Sequence, residues 1–148
     1  MKKQLIIFSA ALGMATVTHA QELSVNQVPS IILNEFNKEF PNARDVEWEM
    51  DRSLYQVEFE TGWGRDQELW YDSAAVLIRQ EEELKASEIP ELIRESIKNG
   101  YEGYSIEEVT RITEGKIQVY HLELEGFLKQ DLELVVDAAG NVISKQAD

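Results

Sequence analysis

The sequence contains no cysteine. That excludes a disulfide framework, a thiolate metal site and a lipid-modified cysteine. Histidine is nearly absent, with two in all. His19 lies in a segment expected to be removed, which leaves His121. One histidine without a cysteine cannot assemble a histidine-rich metal centre or a thiol–imidazole pair. No Gly-x-Ser-x-Gly elbow accompanies it, and Ser105 and Ser144 have ordinary strand or turn contexts. Basic residues are also few: 14 Lys and Arg stand against 28 Asp and Glu, for a formal net charge of −14 over 148 residues. This balance argues against nucleic acid and anionic membrane surfaces. It suits either a basic or cationic partner or simply well-solvated acidic faces. No apolar run reaches the roughly 20 residues that a membrane span needs.

The longest apolar run opens the chain. Met1-Lys2-Lys3 is a basic head, Leu5 to Val17 is apolar and small, and Thr18-His19-Ala20 offers small residues for cleavage. Residues 1–20 therefore read as a secretory signal peptide cut after Ala20, giving a periplasmic or secreted protein without stable membrane insertion. Removing two lysines leaves 12 basic and 28 acidic residues, a net of −16.

After a polar, flexible lead-in over 21–27, the apolar residues Val28, Ile31, Ile32, Phe36 and Phe40 recur at helical spacing. Phe40-Pro41 ends the helix, because a residue before proline is pushed out of helical conformation. From Arg44 the period becomes two. Val46, Trp48 and Met50, then Tyr55, Val57 and Phe59, alternate with Glu47, Glu49, Gln56 and Glu58. This predicts an antiparallel sheet with one face buried and one wet. Gly62-Trp63-Gly64 is a hairpin tip, Leu69 and Tyr71 lie on the next strand, Asp72 to Ala75 turns, and Val76 to Arg79 returns. Gln80 to Lys85 reads as a charged connector.

The pattern then restarts. Ile89-Pro90 echoes Val28-Pro29, and Leu92, Ile93 and Ile97 repeat the helical stripe. Tyr120, Leu122 and Leu124 match Tyr55, Val57 and Phe59. Gly126-Phe127 matches Gly62-Trp63, and Glu133 to Ile143 aligns without a gap on Glu68 to Ile78. The expected fold class is α+β: a tandem repeat, 28–84 and 85–148, each unit a helix packed on an antiparallel meander of about four strands. Units near 60 residues are marginal alone, so a shared core or continuous sheet is expected.

A secretory leader, a helix ending in Phe40-Pro41 and an Asp-x-x-Gly turn before the last strand, with the Val-Pro or Ile-Pro helix start and the aromatic-acidic strands in duplicate, resemble the PepSY-like proteins of Bacteroidetes, a secreted group described as beta-lactamase-inhibitor-like. The resemblance covers Val28 to Gln146. It implies a duplicated α+β fold, export and, by analogy of fold, binding or inhibition of another protein. One departure is Ala75, which stands where the second copy has Gly140. The first turn must avoid positive φ or accept strain.

Candidate chemistry is sparse. Twenty-eight carboxylates single out no catalytic pair, and no enzyme activity is expected. Asp72 and Asp137 could offer oxygens to calcium, but no Asp-x-Asp-x-Asp-Gly loop exists, and Asp opens turns for its local hydrogen bonds alone. No metal or cofactor is expected. Trp63 and Phe127, at matching tips, are the candidate anchors for a protein partner; alternatively both fold back over the sheet edge. The expected function is a non-enzymatic protein-binding or inhibitor-like module. The wet face, with Glu47, Glu49, Gln56, Glu58, His121 and Glu123, could add to the tips. The alternative is a small-ligand or cation-binding periplasmic protein that uses this acidic face.

Overall fold

The computed structural model describes residues 21–62 and 64–147, so the expected signal peptide and Trp63 lie outside the described residues. Among the described residues, nine antiparallel strands form one sheet in strict chain order. They are β1 (Gln21–Leu23), β2 (Arg44–Asp51), β3 (Leu54–Thr61), β4 (Arg65–Tyr71), β5 (Leu77–Glu83), β6 (Tyr104–Glu114), β7 (Ile117–Gly126), β8 (Leu132–Asp137) and β9 (Val142–Ala147). Helix α1 (Ser30–Glu39) precedes β2, and helix α2 (Glu91–Gly100) lies between β5 and β6. The prolines of the repeated motif, Pro29 and Pro90, sit directly before the helices as their N-caps.

The alternation sets the layers. Ile32 and Phe36 of α1 pack with Trp48, Val57, Phe59, Leu69 and Tyr71. Phe36 meets Phe59 edge-on at 4.9 Å and Trp48 at 5.4 Å, close to the preferred geometry of aromatic pairs. Ile93 and Ile97 of α2 pack with Val109, Leu122, Leu124 and Leu134. The register Val57–Leu69–Gln80–Thr113–Gln118 runs through both halves, so both helices cover the same face. Each fully buried side chain of this size contributes roughly 1.5–3 kcal/mol.

Two expectations are corrected. Gln21–Leu23, read as a flexible lead-in, pairs with β2, and Leu23, opposite Trp48, packs against the first core. Gln80 to Lys85, read as a charged connector, lies mostly in β5, the central strand. Its polarity misled because the space beneath it is filled by polar side chains. Gln67 donates to Thr61 at 2.9 Å and accepts from Gln80 at 3.2 Å. Glu82, buried, accepts from Arg65 at 2.9 Å and pairs with Arg111. Arg65 also binds Glu88 at 2.8 Å. The sheet is continuous, as expected, but this polar seam separates two cores.

The two Asp turns share the same two Oδ1 bonds, and the second adds one from the Asn141 side chain to Asp137 Oδ2 at 2.8 Å. Asp72 Oδ1 accepts from the Ala74 and Val76 N–H groups, and Asp137 Oδ1 accepts from those of Ala139 and Asn141. Ala75 does take the left-handed conformation, at φ 63°, as Gly140 does at 81°.

Candidate interaction surface

The opposite face of the sheet carries no covering element among the described residues. Strand register places Glu47, Glu49, Gln56, Glu58, His121 and Glu123 on it together, as the alternation predicts. It also adds residues that sequence reasoning missed. Glu47, Glu58, Glu68 and Glu81 stand directly opposite one another across β2, β3, β4 and β5. Adjacent strands are about 4.8 Å apart, so four carboxylates form one row. Glu58, Asp66, Glu68, Glu81, Glu83, Glu108 and Thr110 line an open cleft of about 230 Å³ over β3–β6. The signal was present in the sequence: Glu81 and Glu83 share the wet phase once Gln80–Glu83 is read as strand.

Like charges directly opposite in a sheet repel, and the cleft shows it. Burial, then the neighbouring Glu81 and Glu58 carboxylates, push the Glu68 carboxyl up to about 7, although Gln56 donates to it at 2.7 Å. Burial and Glu123 likewise raise Glu108. Arg79 is the cation nearest the row. It pairs with Glu81 and Glu114 and lies 5.4 Å from the Trp70 ring centre, while the Trp70 indole donates to Asp51 at 3.2 Å. His121 Nε2 is buried, makes no hydrogen bond, and lies 3.9 Å from the Glu133 carboxylate. On the helix side, burial and then Glu39 and Glu35 push the Tyr71 hydroxyl up to about 12.

Phe127 lies where the sequence reading puts it, on a tip, and points outward. It is 79% exposed and Leu128 beside it is 92% exposed. The loop that presents them is braced. The Phe127 N–H donates to Gly103 O, and Gly126 N–H donates to Asp131 Oδ1 at 2.8 Å. Lys129 Nζ donates to Glu102 O at 2.7 Å and sits over the Tyr104 ring, while the Tyr104 hydroxyl donates to Gln130 O. Gly126 is obligatory, since a Cβ there would come within 2.9 Å of Lys129 Cβ and its carbonyl. Leu128 holds φ at 57°, an uncommon conformation for a bulky residue that persists only where its surroundings impose it. The loop between β3 and β4 opens at the same end of the sheet, because the meander alternates direction at every turn.

Asp72 and Asp137 do not converge on a common site; their oxygens accept backbone N–H groups of their own turns. Among the described residues, no three or more His, Asp or Glu side chains are grouped to hold a metal ion. None of the described helices is long and apolar enough to cross a membrane.

A family model described as beta-lactamase-inhibitor-like, PepSY-like matches twice, over residues 14–79 and 66–144. The chain belongs to the PepSY-like family. Solved structures share its fold. A DUF2874 family protein from Bacteroides uniformis is 22% identical, with a TM-score of 0.67 over 80% of this chain and 88% of its own. A BLIP-like protein from Bacteroides fragilis is 19% identical, with a TM-score of 0.64 over 80% and 85%. A protein from Bacteroides eggerthii, described as periplasmic, is 15% identical, with a TM-score of 0.68 over 81% and 88%. The comparison with curated proteins found no match. At these identities the neighbours share the PepSY-like chain's fold. PepSY-like and BLIP-like proteins are not a known enzyme family.

Proposed function

We propose that this PepSY-like protein is an exported, periplasmic, non-enzymatic module that binds another protein through the rim carrying Phe127 and Leu128. The observation that carries this reading is the braced loop that holds two bulky apolar side chains in solvent. These are the two most exposed of the described large apolar side chains, and adjacent apolar groups presented on a fixed loop suit an anchor in a partner's pocket. Trp63, between the glycines of the other loop at that end, is the second anchor. The two-fold family match, the paired Asp turns and the two helix-backed cores support descent from a tandem duplication.

Several observations favour binding over catalysis. Burial and the neighbouring carboxylates raise Glu68 to about 7, where a general acid works, but carboxylates line almost the whole cleft, and the Gln67 amide is turned to the other face and donates to Thr61. A second reading, binding of a small cation, draws on the same cleft. A calcium-dependent rise in melting temperature would favour it.

The test is a cross-linking pull-down from native periplasm with wild type and with the Phe127→Ser, Leu128→Ser variant. One stoichiometric partner lost in the variant is the expected result. A partner retained at wild-type level removes the rim from the interface.

A further inference from the structure

The carboxylate cleft and the apolar tip adjoin. Strand β6 contributes to both: Glu108 and Thr110 line the cleft, and Tyr104 and Ser105 line the recess of about 470 Å³ beneath Phe127 and Leu128. Three to six residues of extended strand separate them, on the order of 10–20 Å. Ser105 pairs with Glu125, and Glu108 with Glu123, and the β-bulge between Ile106 and Glu108 keeps both pairs on the uncovered face. Resting on the reading of the chain as a binding module, we propose that cleft and tip are one docking surface for a basic protein partner, whose lysine or arginine side chains enter the cleft while an apolar pocket takes Phe127 and Leu128.

Charge selects this occupant. The face sets Glu58, Asp66, Glu68, Glu81, Glu83 and Glu108 around one cleft, and among the cations that touch its carboxylates Arg79 is already engaged with Glu81 and Glu114. A second copy would bring the same carboxylates and be repelled, and an anionic membrane would be repelled likewise. The tip is the independent element. It owes nothing to charge, and its loop is braced by hydrogen bonds at the end of the same strand, so a partner gains apolar burial at little cost in ordering the loop. A cation entering the row would offset the repulsion among Glu58, Glu68 and Glu81, which stand directly opposite one another.

The experiment measures binding of fluorescent octalysine by anisotropy at 150 mM salt. Wild type is compared with a cleft variant (Glu58→Gln, Glu68→Gln, Glu81→Gln) and a charge-matched helix variant (Glu39→Gln, Glu91→Gln, Glu95→Gln). The expected result is at least a tenfold loss in the cleft variant and less than twofold in the helix variant. Equal losses would mean that net charge alone attracts the peptide and would overturn the inference. So would wild-type binding by the cleft variant, or a calcium-induced melting shift confined to wild type without peptide binding. Glu58→Gln and Glu68→Gln remove repulsion, whereas Glu81→Gln also removes a partner of Arg79, so a cooperative melt and a wild-type circular dichroism spectrum of the cleft variant separate lost binding from lost folding. In the pull-down, a partner lost by the tip variant but kept by the cleft variant overturns this inference and leaves the binding reading standing. A partner kept by both overturns the two together.

Discussion

Replacing Glu68 with Gln should stabilise the protein at pH 8 and leave it unchanged at pH 4. Folding raises this carboxyl from 4.5 to about 7, chiefly by burial and then by Glu81 and Glu58. Below pH 4.5 the group is protonated in folded and unfolded chains alike, and there is no penalty. Between 4.5 and 7 the unfolded chain loses the proton while the folded chain keeps it, so stability falls as pH rises. Above 7 the penalty is complete. At about 1.4 kcal/mol for each pKa unit the difference corresponds to about 3 kcal/mol, and solvent screening of this half-exposed side chain reduces it to roughly 1–2 kcal/mol. Gln retains an oxygen to accept from Gln56, so only the charge is removed. Urea unfolding of both proteins at pH 4, 6 and 8 isolates the Glu68 charge together with its coupling to Glu81 and Glu58, because the uncoupled titrating groups cancel in the difference. A gain of roughly 1–2 kcal/mol at pH 8 that vanishes at pH 4 is expected. A gain independent of pH, or a loss at pH 8, would refute the reasoning.

Other outcomes follow from packing. Gly140→Ala should cost roughly 2 kcal/mol or more in chemical denaturation, since its Cβ would lie 2.7 Å from Leu92 O at φ 81°. Ala75→Gly, at the matching turn, should instead be neutral or stabilising by up to about 1 kcal/mol, because it relieves a left-handed alanine. Ile32→Val and Ile93→Val should each cost roughly 0.5–1.5 kcal/mol and add within about 0.5 kcal/mol in the double variant, because the two lie in separate clusters; strong coupling in a thermodynamic cycle would show that the cores communicate. Phe127→Ser should leave the melting temperature within about 2 °C of wild type, as the ring is 79% exposed; a large drop would show that the ring packs on the protein itself.

The hairpins, both helices and the wet face could be read from spacing because each depends on local rules: period two, proline at a helix start, Asp before a turn. Ala75 showed how far such rules reach; the sequence named the conflict, and the structure resolved it as a left-handed alanine. What could not be read was set by pairing between distant segments. Gln67 and Glu82 look like surface residues in isolation, and only the pairing of β4 with β5 and of β5 with β6 buries them. The row from Glu47 to Glu81 is likewise invisible until four strands are laid in register. Phe127 was legible because glycine and aromatic stand together at a tip, whereas the exposed Leu128 carried no such mark.

The unbroken strand order has a consequence for how the chain assembles. Every strand pairs with its nearest neighbours in sequence, with no crossover; six of the eight pairings close a short turn, and two, β1 with β2 and β5 with β6, close over a helix-bearing segment, so little chain entropy is forfeited. A polypeptide emerging N-terminus first can add one strand at a time to an edge already laid down. No strand waits for a partner beyond the next strand in sequence, and the growing edge stays open until the next residues arrive to close it.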